Sequence, residues 1–157
     1  MRKISKIYVH HSALPRSKSL PEIRELHLAR GFKDIGYHFI IDGEGRILEG
    51  RQLEEEGAHV KGDNVDSIGI CVCGNFEEEQ PFPSQIEALE KLISSLCERF
   101  ERLQILGHRD YPEADTLCPG HYLYQLLPEL RRKTNLKSGD KKPRDFTRLT
   151  QKLKGKR

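Results

Sequence analysis

Short apolar segments alternate with amphipathic helical segments along most of this chain. Their β-branched, aromatic and aliphatic side chains are typical of buried strands, and the predicted strands are residues 4–10, 37–41, 46–49, 67–73 and 103–107. The second and third strands flank Asp42-Gly43-Glu44-Gly45, whose glycines suit a hairpin turn. None of these segments reaches membrane-spanning length, so we expect no transmembrane segment.

Two helices are predicted behind the capping-box sequences Ser19-Leu20-Pro21-Glu22 and Ser84-Gln85-Ile86-Glu87. The second helix has the clearest apolar stripe, formed by Ile86, Leu89, Leu92, Ile93, Leu96, Cys97 and Phe100. A last helix is predicted from about Tyr122. The order strand–helix–hairpin–strand–helix–strand–helix predicts an α/β fold, a single domain in which helices flank a mixed central β-sheet.

Charge divides the 157 residues into two parts. Residues 137–157 contain nine Lys or Arg and two Asp, a net +7, whereas the preceding residues contain 18 basic and 22 acidic side chains, a net −4. We predict a folded domain over residues 1–134 and a basic, partly disordered tail over residues 135–157. One aromatic residue, Phe146, and no nucleic-acid-binding motif argue against specific nucleic-acid binding by the tail. An inert solvated tail and contact with anionic cell-envelope surfaces both remain open.

The compartment is suggested by the N-terminal residues and the cysteines. The first residues are basic but form no continuous apolar segment, so we expect no signal peptide, synthesis in the cytoplasm and action elsewhere only after release. A reducing compartment argues against disulfides among the four cysteines. Cys71 and Cys73 share one face of a predicted strand and are expected to be small buried side chains. Only Cys118 lies in a loop, before Pro119 and Gly120.

Two histidines and this cysteine form a potential zinc ligand set. His10 and His108 each end a predicted strand, and Cys118 follows ten residues after His108. Imidazole and thiolate ligands suit zinc, and three protein ligands leave a fourth position for water, as in catalytic sites. The carboxyl ends of strands are where ligands collect in open α/β sheets. Because adjacent strand residues point to opposite faces, the residues alone do not decide between His10 and His11.

A series of short segments along the chain forms a recognisable set: Tyr8-Val9-His10-His11-Ser12-Ala13, residues 31–41, Gly57-Ala58-His59, Asn64 with Ser67-Ile68-Gly69-Ile70, Gly74-Asn75-Phe76, Gly107-His108-Arg109-Asp110 and Cys118-Pro119-Gly120. In this order, they resemble the zinc-dependent N-acetylmuramoyl-L-alanine amidases, a family that includes phage endolysins and shares its fold with peptidoglycan recognition proteins. The resemblance covers roughly residues 4–130 and implies an amidase that cleaves between N-acetylmuramic acid and L-alanine in peptidoglycan, as a phage or prophage endolysin.

The resemblance also implies roles for individual residues. It selects His10, His108 and Cys118 as ligands of one Zn²⁺ per chain, and Tyr37 and Thr116 as catalytic residues. We assign substrate binding to His59 and Asn64, which lie in or beside the resembling segments of the long loop. Recognition proteins that only bind peptidoglycan lack the cysteine ligand, so Cys118 favours an enzyme.

Alternatives to an amidase remain at this point. The chain can be a non-catalytic peptidoglycan-binding module, or a structural zinc domain closed by His11 or His121 as a fourth ligand. His11 is expected to be a packed or surface histidine, and His27 is expected to be structural. Asp110 can orient an imidazole, pair with Arg109 or cap a turn. No glutamate is placed as an obvious general base, which leaves Tyr37 as the favoured proton shuttle.

Overall fold

The computed structural model, which describes residues 1–136, is built on a five-stranded mixed sheet. Its strands are β1 (Lys6–His11), β2 (Phe39–Ile41), β3 (Ile47–Glu49), β4 (Ser67–Val72) and β5 (Gln104–Gly107). Its helices are α1 (Leu20–Ala29), α2 (Pro83–Arg99), α3 (His121–Tyr124) and α4 (Leu127–Leu136), with one 3-10 turn over His108–Asp110. The predicted α/β class, with helices around a mixed sheet, is confirmed.

The strand order β3-β2-β4-β1-β5 places β1 between two parallel neighbours. Tyr8 pairs with Gly69 of β4, and Val9 pairs with Gly107 of β5. β2 runs parallel to β4, and the predicted hairpin joins it antiparallel to β3. The carboxyl ends of β1, β2, β4 and β5 therefore lie at one edge of the sheet, where His10 and His108 were expected to meet.

Apolar residues fill both faces of the sheet unequally. The larger cluster includes Ile7 and Val9 of β1 and the apolar stripe of α2 from Leu89 onward, and α2 also packs against α4. The smaller cluster, on the other face, is formed by Ile23, Ile35, Ile40, Leu48, Cys71 and Cys73. The predicted burial of Cys71 and Cys73 on one face is confirmed, and all four cysteines are free thiols.

The start of α2 differs from the prediction. The helix begins at Pro83 with Phe82 as its N-cap residue, and the Phe82 N–H donates to Gln85 Oε1 at 3.0 Å. The capping box predicted from Ser84 is therefore wrong. Gln85 determines the start, because its buried amide also donates to the backbone carbonyls of Asp42 and Cys73. At α1 the Glu22 half of the predicted capping box is present, with the Ser19 N–H donating to Glu22 Oε2 at 3.1 Å.

The C-terminal helical region is also more complex than predicted. The single helix expected from about Tyr122 is two helices, α3 and α4, because Pro128 suits the first turn of a new helix better than the interior of a continuous one. α4 extends to Leu136, two residues past the predicted domain boundary. The basic segment 137–157 lies outside the described residues. Over residues 1–136, no helix has the length and apolar character needed to cross a membrane.

Candidate metal and active site

The three predicted zinc ligands lie together at the carboxyl edge of the sheet. The pairing of Val9 with Gly107 places His10 of β1 beside His108, and their ring centroids are 4.8 Å apart. Cys118 approaches from the loop after the 3-10 turn, and its Sγ lies 3.6 Å from His10 Nδ1. One ligand atom from each of the three residues lies within 4.8 Å of the other two.

One distance within this cluster matches the geometry of a tetrahedral metal ion. At usual zinc bond lengths, tetrahedral geometry separates a ligand nitrogen from a ligand sulfur by about 3.6 Å, the distance between His10 Nδ1 and Cys118 Sγ. Burial lowers the pKa of His10 well below its ordinary value and also lowers the pKa of His108, so both imidazoles are neutral and have a lone pair to offer. Burial raises the pKa of Cys118 to about 12. A neighbouring divalent cation would lower this pKa, because it stabilises the thiolate.

The loop that carries Cys118 is held by close contacts. Cys118 Sγ accepts the backbone N–H of His11 at 3.4 Å, and the Cys118 N–H donates to Thr116 Oγ1 at 3.1 Å. Gly120 has φ of +90°, and a Cβ at this position would lie 2.5 Å from the carbonyl carbon of Phe76. Only glycine allows this approach, so the loop packs closely against residue 76. This contact helps to hold the loop where the Cys118 sulfur faces the histidines.

His11 and His121, the alternative fourth ligands, do not belong to the cluster. His11 points to the opposite face of β1, where its Nδ1 accepts the Phe76 N–H at 3.1 Å. His121 is exposed at the start of α3. The structure thus selects His10 over His11 for the cluster.

Tyr37 lies over the cluster, two residues before β2 rather than inside a strand as predicted. Its ring centroid is 5.0 Å from that of His10 and 5.3 Å from that of His27. Burial, with smaller contributions from Cys71 and Cys118, raises the pKa of Tyr37 well above its ordinary value. The phenol is therefore neutral and can donate a hydrogen bond. His27 accepts the Gly36 N–H at 2.8 Å, in agreement with its expected structural role.

Thr116 lies two residues before Cys118 and is partly exposed. Its oxygen accepts the Cys118 N–H, so its hydroxyl hydrogen is still available to a group approaching the cluster. The catalytic role predicted for Thr116 stays a prediction.

Comparison with known proteins identifies the family. The family model described as N-acetylmuramoyl-L-alanine amidase matches residues 1–121. The chain belongs to this amidase family. The endolysin of Enterobacteria phage T3 is 36% identical over 120 residues, which are 72% of this chain and 78% of that protein. Peptidoglycan-recognition protein 2 of Holotrichia diomphalia is 32% identical over 142 residues, 83% of this chain and 75% of that protein.

Solved structures give the same result for the fold. The N-acetylmuramoyl-L-alanine amidase LysC from Clostridium intestinale URNW has a TM-score of 0.79 and 32% identity, covering 85% of this chain and 87% of that one. Wild-type Drosophila PGRP-LB has a TM-score of 0.74 and 30% identity, covering 81% of each chain. The predicted fold of amidases and peptidoglycan recognition proteins is confirmed.

Within this amidase domain, His59 lies behind the cluster rather than in an open groove. The residue is 9% exposed, and its Nδ1 is 2.9 Å from His10 Nε2. The sequence analysis did not predict this contact. A feature that could have indicated it is Gly69, in the middle of a buried strand. A Cβ on Gly69 would lie 2.7 Å from the His59 ring, so the glycine makes room for the imidazole. The substrate contact assigned to His59 stays a prediction.

Asn64 organises the loop that carries His59. Its Oδ1 accepts the backbone N–H groups of His59 and Val60, both at 2.9 Å. Asn64 therefore fixes the position of the His59 backbone, and its contact with substrate stays a prediction.

Asp110 caps the turn after β5. Its carboxylate accepts the Gly107 N–H at 2.9 Å and the Tyr124 hydroxyl at 2.5 Å. Its ion-pair partner is Arg131 at 3.6 Å, whereas Arg109 pairs with Glu77 at 3.7 Å. Of the three roles considered for Asp110, the structure favours the turn cap.

Proposed function

We propose that this chain is a zinc-dependent amidase that hydrolyses the amide bond between N-acetylmuramic acid and L-alanine in peptidoglycan, as a phage or prophage endolysin. The observation that carries the proposal is the cluster of His10, His108 and Cys118 beneath a neutral Tyr37, in a chain of the amidase family. Relatives named endolysin support the biological role.

The three clustered residues would hold one Zn²⁺ and leave a fourth position toward the substrate. Bound zinc would polarise the substrate carbonyl and lower the pKa of a coordinated water to about 7. A soft set of two imidazoles and one thiolate favours zinc over magnesium or calcium, which prefer oxygen ligands.

Tyr37 and Thr116 supply the polar groups around the scissile amide. Attack on the D-lactyl carbonyl develops negative charge on its oxygen, and the neutral phenol of Tyr37 can donate a hydrogen bond to that charge. The Thr116 hydroxyl can act as a second donor, since its proton is not used in the bond to the Cys118 N–H. Loss of one such donor costs on the order of 3 kcal/mol in transition-state stabilisation. We assign proton transfer to Tyr37, whose ring centroid lies 5.0 Å from that of His10.

A peptidoglycan-binding module without turnover is the competing function. The relatives include peptidoglycan recognition proteins, and one structural neighbour is described with tracheal cytotoxin bound. Cys118 favours the enzyme, because its sulfur completes a ligand cluster that binding alone does not require.

Two measurements on the same preparation test the proposal. Zinc content should be about one per chain. Digested peptidoglycan should gain free alanine amino groups without new reducing ends. New reducing ends would indicate a glycosidase, which needs a pair of carboxylates across the glycosidic bond. Cys118→Ser protein is the control for both. Peptidoglycan that is bound but not cleaved would favour the recognition module, and new reducing ends without new amines would contradict an amidase.

We further propose that the enzyme reaches the wall only after release from the cytoplasm, and that residues 137–157 draw it toward anionic envelope surfaces. The support for the second point is the contrast between the +7 of this segment and the −4 of the preceding residues.

A further inference from the structure

A hydrogen-bonded chain of side chains leads away from the cluster on the side opposite Cys118. His10 Nε2 lies 2.9 Å from His59 Nδ1. His59 Nε2 lies 3.4 Å from Ser67 Oγ, and the Ser67 hydroxyl donates to the backbone carbonyl of Asp63 at 2.8 Å. His10 thus has one ring nitrogen toward Cys118 Sγ and the other in this chain.

The carbonyl at the far end fixes the direction of the protons. A carbonyl oxygen can only accept, so the Ser67 hydroxyl proton points to Asp63, and Ser67 Oγ accepts from His59 Nε2–H. A neutral imidazole has a single N–H, which leaves His59 Nδ1 as an acceptor. His10 must then have its proton on Nε2 and its lone pair on Nδ1.

We infer that His59, backed by Ser67, is a positioning residue that holds His10 in the tautomer whose Nδ1 is free to bind a metal ion beside Cys118. The purpose given to this tautomer, which is zinc binding for catalysis, rests on the proposed function. The opposite arrangement, with His59 Nδ1–H donating to His10, would place the His10 proton between its Nδ1 and the sulfur and block coordination there.

The surroundings hold the His59 ring in place. Its plane stands at 89° to that of His10, with ring centroids 5.0 Å apart. The missing side chain of Gly69 leaves the space for it, and Asn64 Oδ1 binds its backbone N–H. A residue that only filled space would need none of this directional support, so the arrangement favours a role through His10.

Zinc affinity measured by chelator competition tests the inference. His59→Leu, of similar size but without an acceptor, should bind zinc about 10- to 100-fold more weakly, the usual effect of losing a partner behind a metal ligand. His59→Asn should stay within a few-fold of the wild type, because its side-chain oxygen can take the place of Nδ1. Ser67→Ala should weaken zinc binding less than His59→Leu and provides a smaller perturbation if His59→Leu fails to fold. Val60→Ala, a fully buried neighbour in the same loop, is the matched control and should lower stability without changing zinc affinity.

Long-range ¹H–¹⁵N NMR of the full chain, with and without zinc, identifies the tautomer directly. The expected result is a proton on His10 Nε2 in both states. A proton on Nδ1, or unchanged zinc affinity in both His59→Leu and Ser67→Ala, would overturn the inference. A wild-type chain that binds no zinc or cleaves no amide would refute the proposed function instead, and the metal-free NMR assignment would still test the tautomer.

Discussion

Val9 and His10 are neighbours in β1 and are equally inaccessible, with exposed fractions of 0% and 1%. Val9 faces the larger apolar cluster beneath α2, where its neighbours are aliphatic. His10 faces Tyr37, His59 and His108, and both of its ring nitrogens have specific polar neighbours. Burial on the first face is favourable for any side chain that fits, whereas burial on the second is tolerated only because each polar atom has a partner.

This contrast predicts two kinds of mutational effect. On the α2 face, substitutions should change the free energy of unfolding and leave zinc affinity alone. On the His10 face, substitutions of the polar residues around His10 should change zinc binding or turnover more than they change folding. The predictions below compare the two faces, beginning with the largest expected effect.

Cys118→Ser should abolish measurable amidase activity and weaken zinc binding by more than about 100-fold, because a hydroxyl is a poor zinc ligand at neutral pH. The measurement is zinc content after dialysis, together with release of alanine amino groups from peptidoglycan. Cys97→Ser, on α2, is the control and should keep both zinc and activity. Full activity in the Cys118→Ser chain would exclude the sulfur as a required ligand.

Tyr37→Phe should retain the fold and the zinc but lose about 10²- to 10³-fold in kcat, since it removes one donor to the developing oxyanion. Steady-state kinetics on a soluble muropeptide measures this loss. Tyr122→Phe, at a tyrosine packed against the larger cluster, removes a hydroxyl from the other face and should leave kcat unchanged. An equal kcat in Tyr37→Phe and wild type would mean that Tyr37 only lines the site and takes no part in the reaction.

Zinc affinity should rise by at least about tenfold for each pH unit between about pH 7 and pH 9, because binding releases the thiol proton and ionisation of the coordinated water can release a second one. Burial raises the pKa of Cys118 to about 12, so in this range zinc must displace one thiol proton. The pKa values of His10 and His108 lie below their ordinary value, so both rings are already neutral and add no further proton. Chelator competition across this range gives the slope, and a flat profile would mean that the thiol is ionised before zinc binds.

Ile70→Val should lower the free energy of unfolding by about 0.5–1.5 kcal/mol, the usual cost of removing one buried methylene. Ile70 is fully buried in the larger cluster and pairs with Val9. Denaturant titration measures the loss, and zinc affinity should match that of the wild type. A change in zinc affinity would show that the two faces are coupled through β1.

The same contrast explains what the sequence could and could not predict. The apolar face follows from local patterns, because the β-branched runs and the stripe of α2 identify their own strands and helix. The start of α2 did not follow, since the bonds from Gln85 to Asp42 and Cys73 join residues far apart in the chain. On the other face, the resemblance identified the three clustered residues. The contact between His10 and His59 spans 49 positions, and glycines that leave room for the His59 ring, such as Gly69, were its local trace.

The smallest expected effect concerns residues 137–157, which lie outside the described structure. Truncation after Leu136, the end of α4, should leave folding, zinc affinity and cleavage of soluble muropeptides unchanged, because none of these depends on the added charge. Lysis of intact sacculi should fall, most strongly at low salt, since exposed charges are screened beyond about 8–10 Å at physiological ionic strength. Turbidity assays of the truncated and full-length chains across a salt series measure the difference. Equal lysis at every salt concentration would show that the +7 segment is an inert extension and that both faces of the amidase domain act without it.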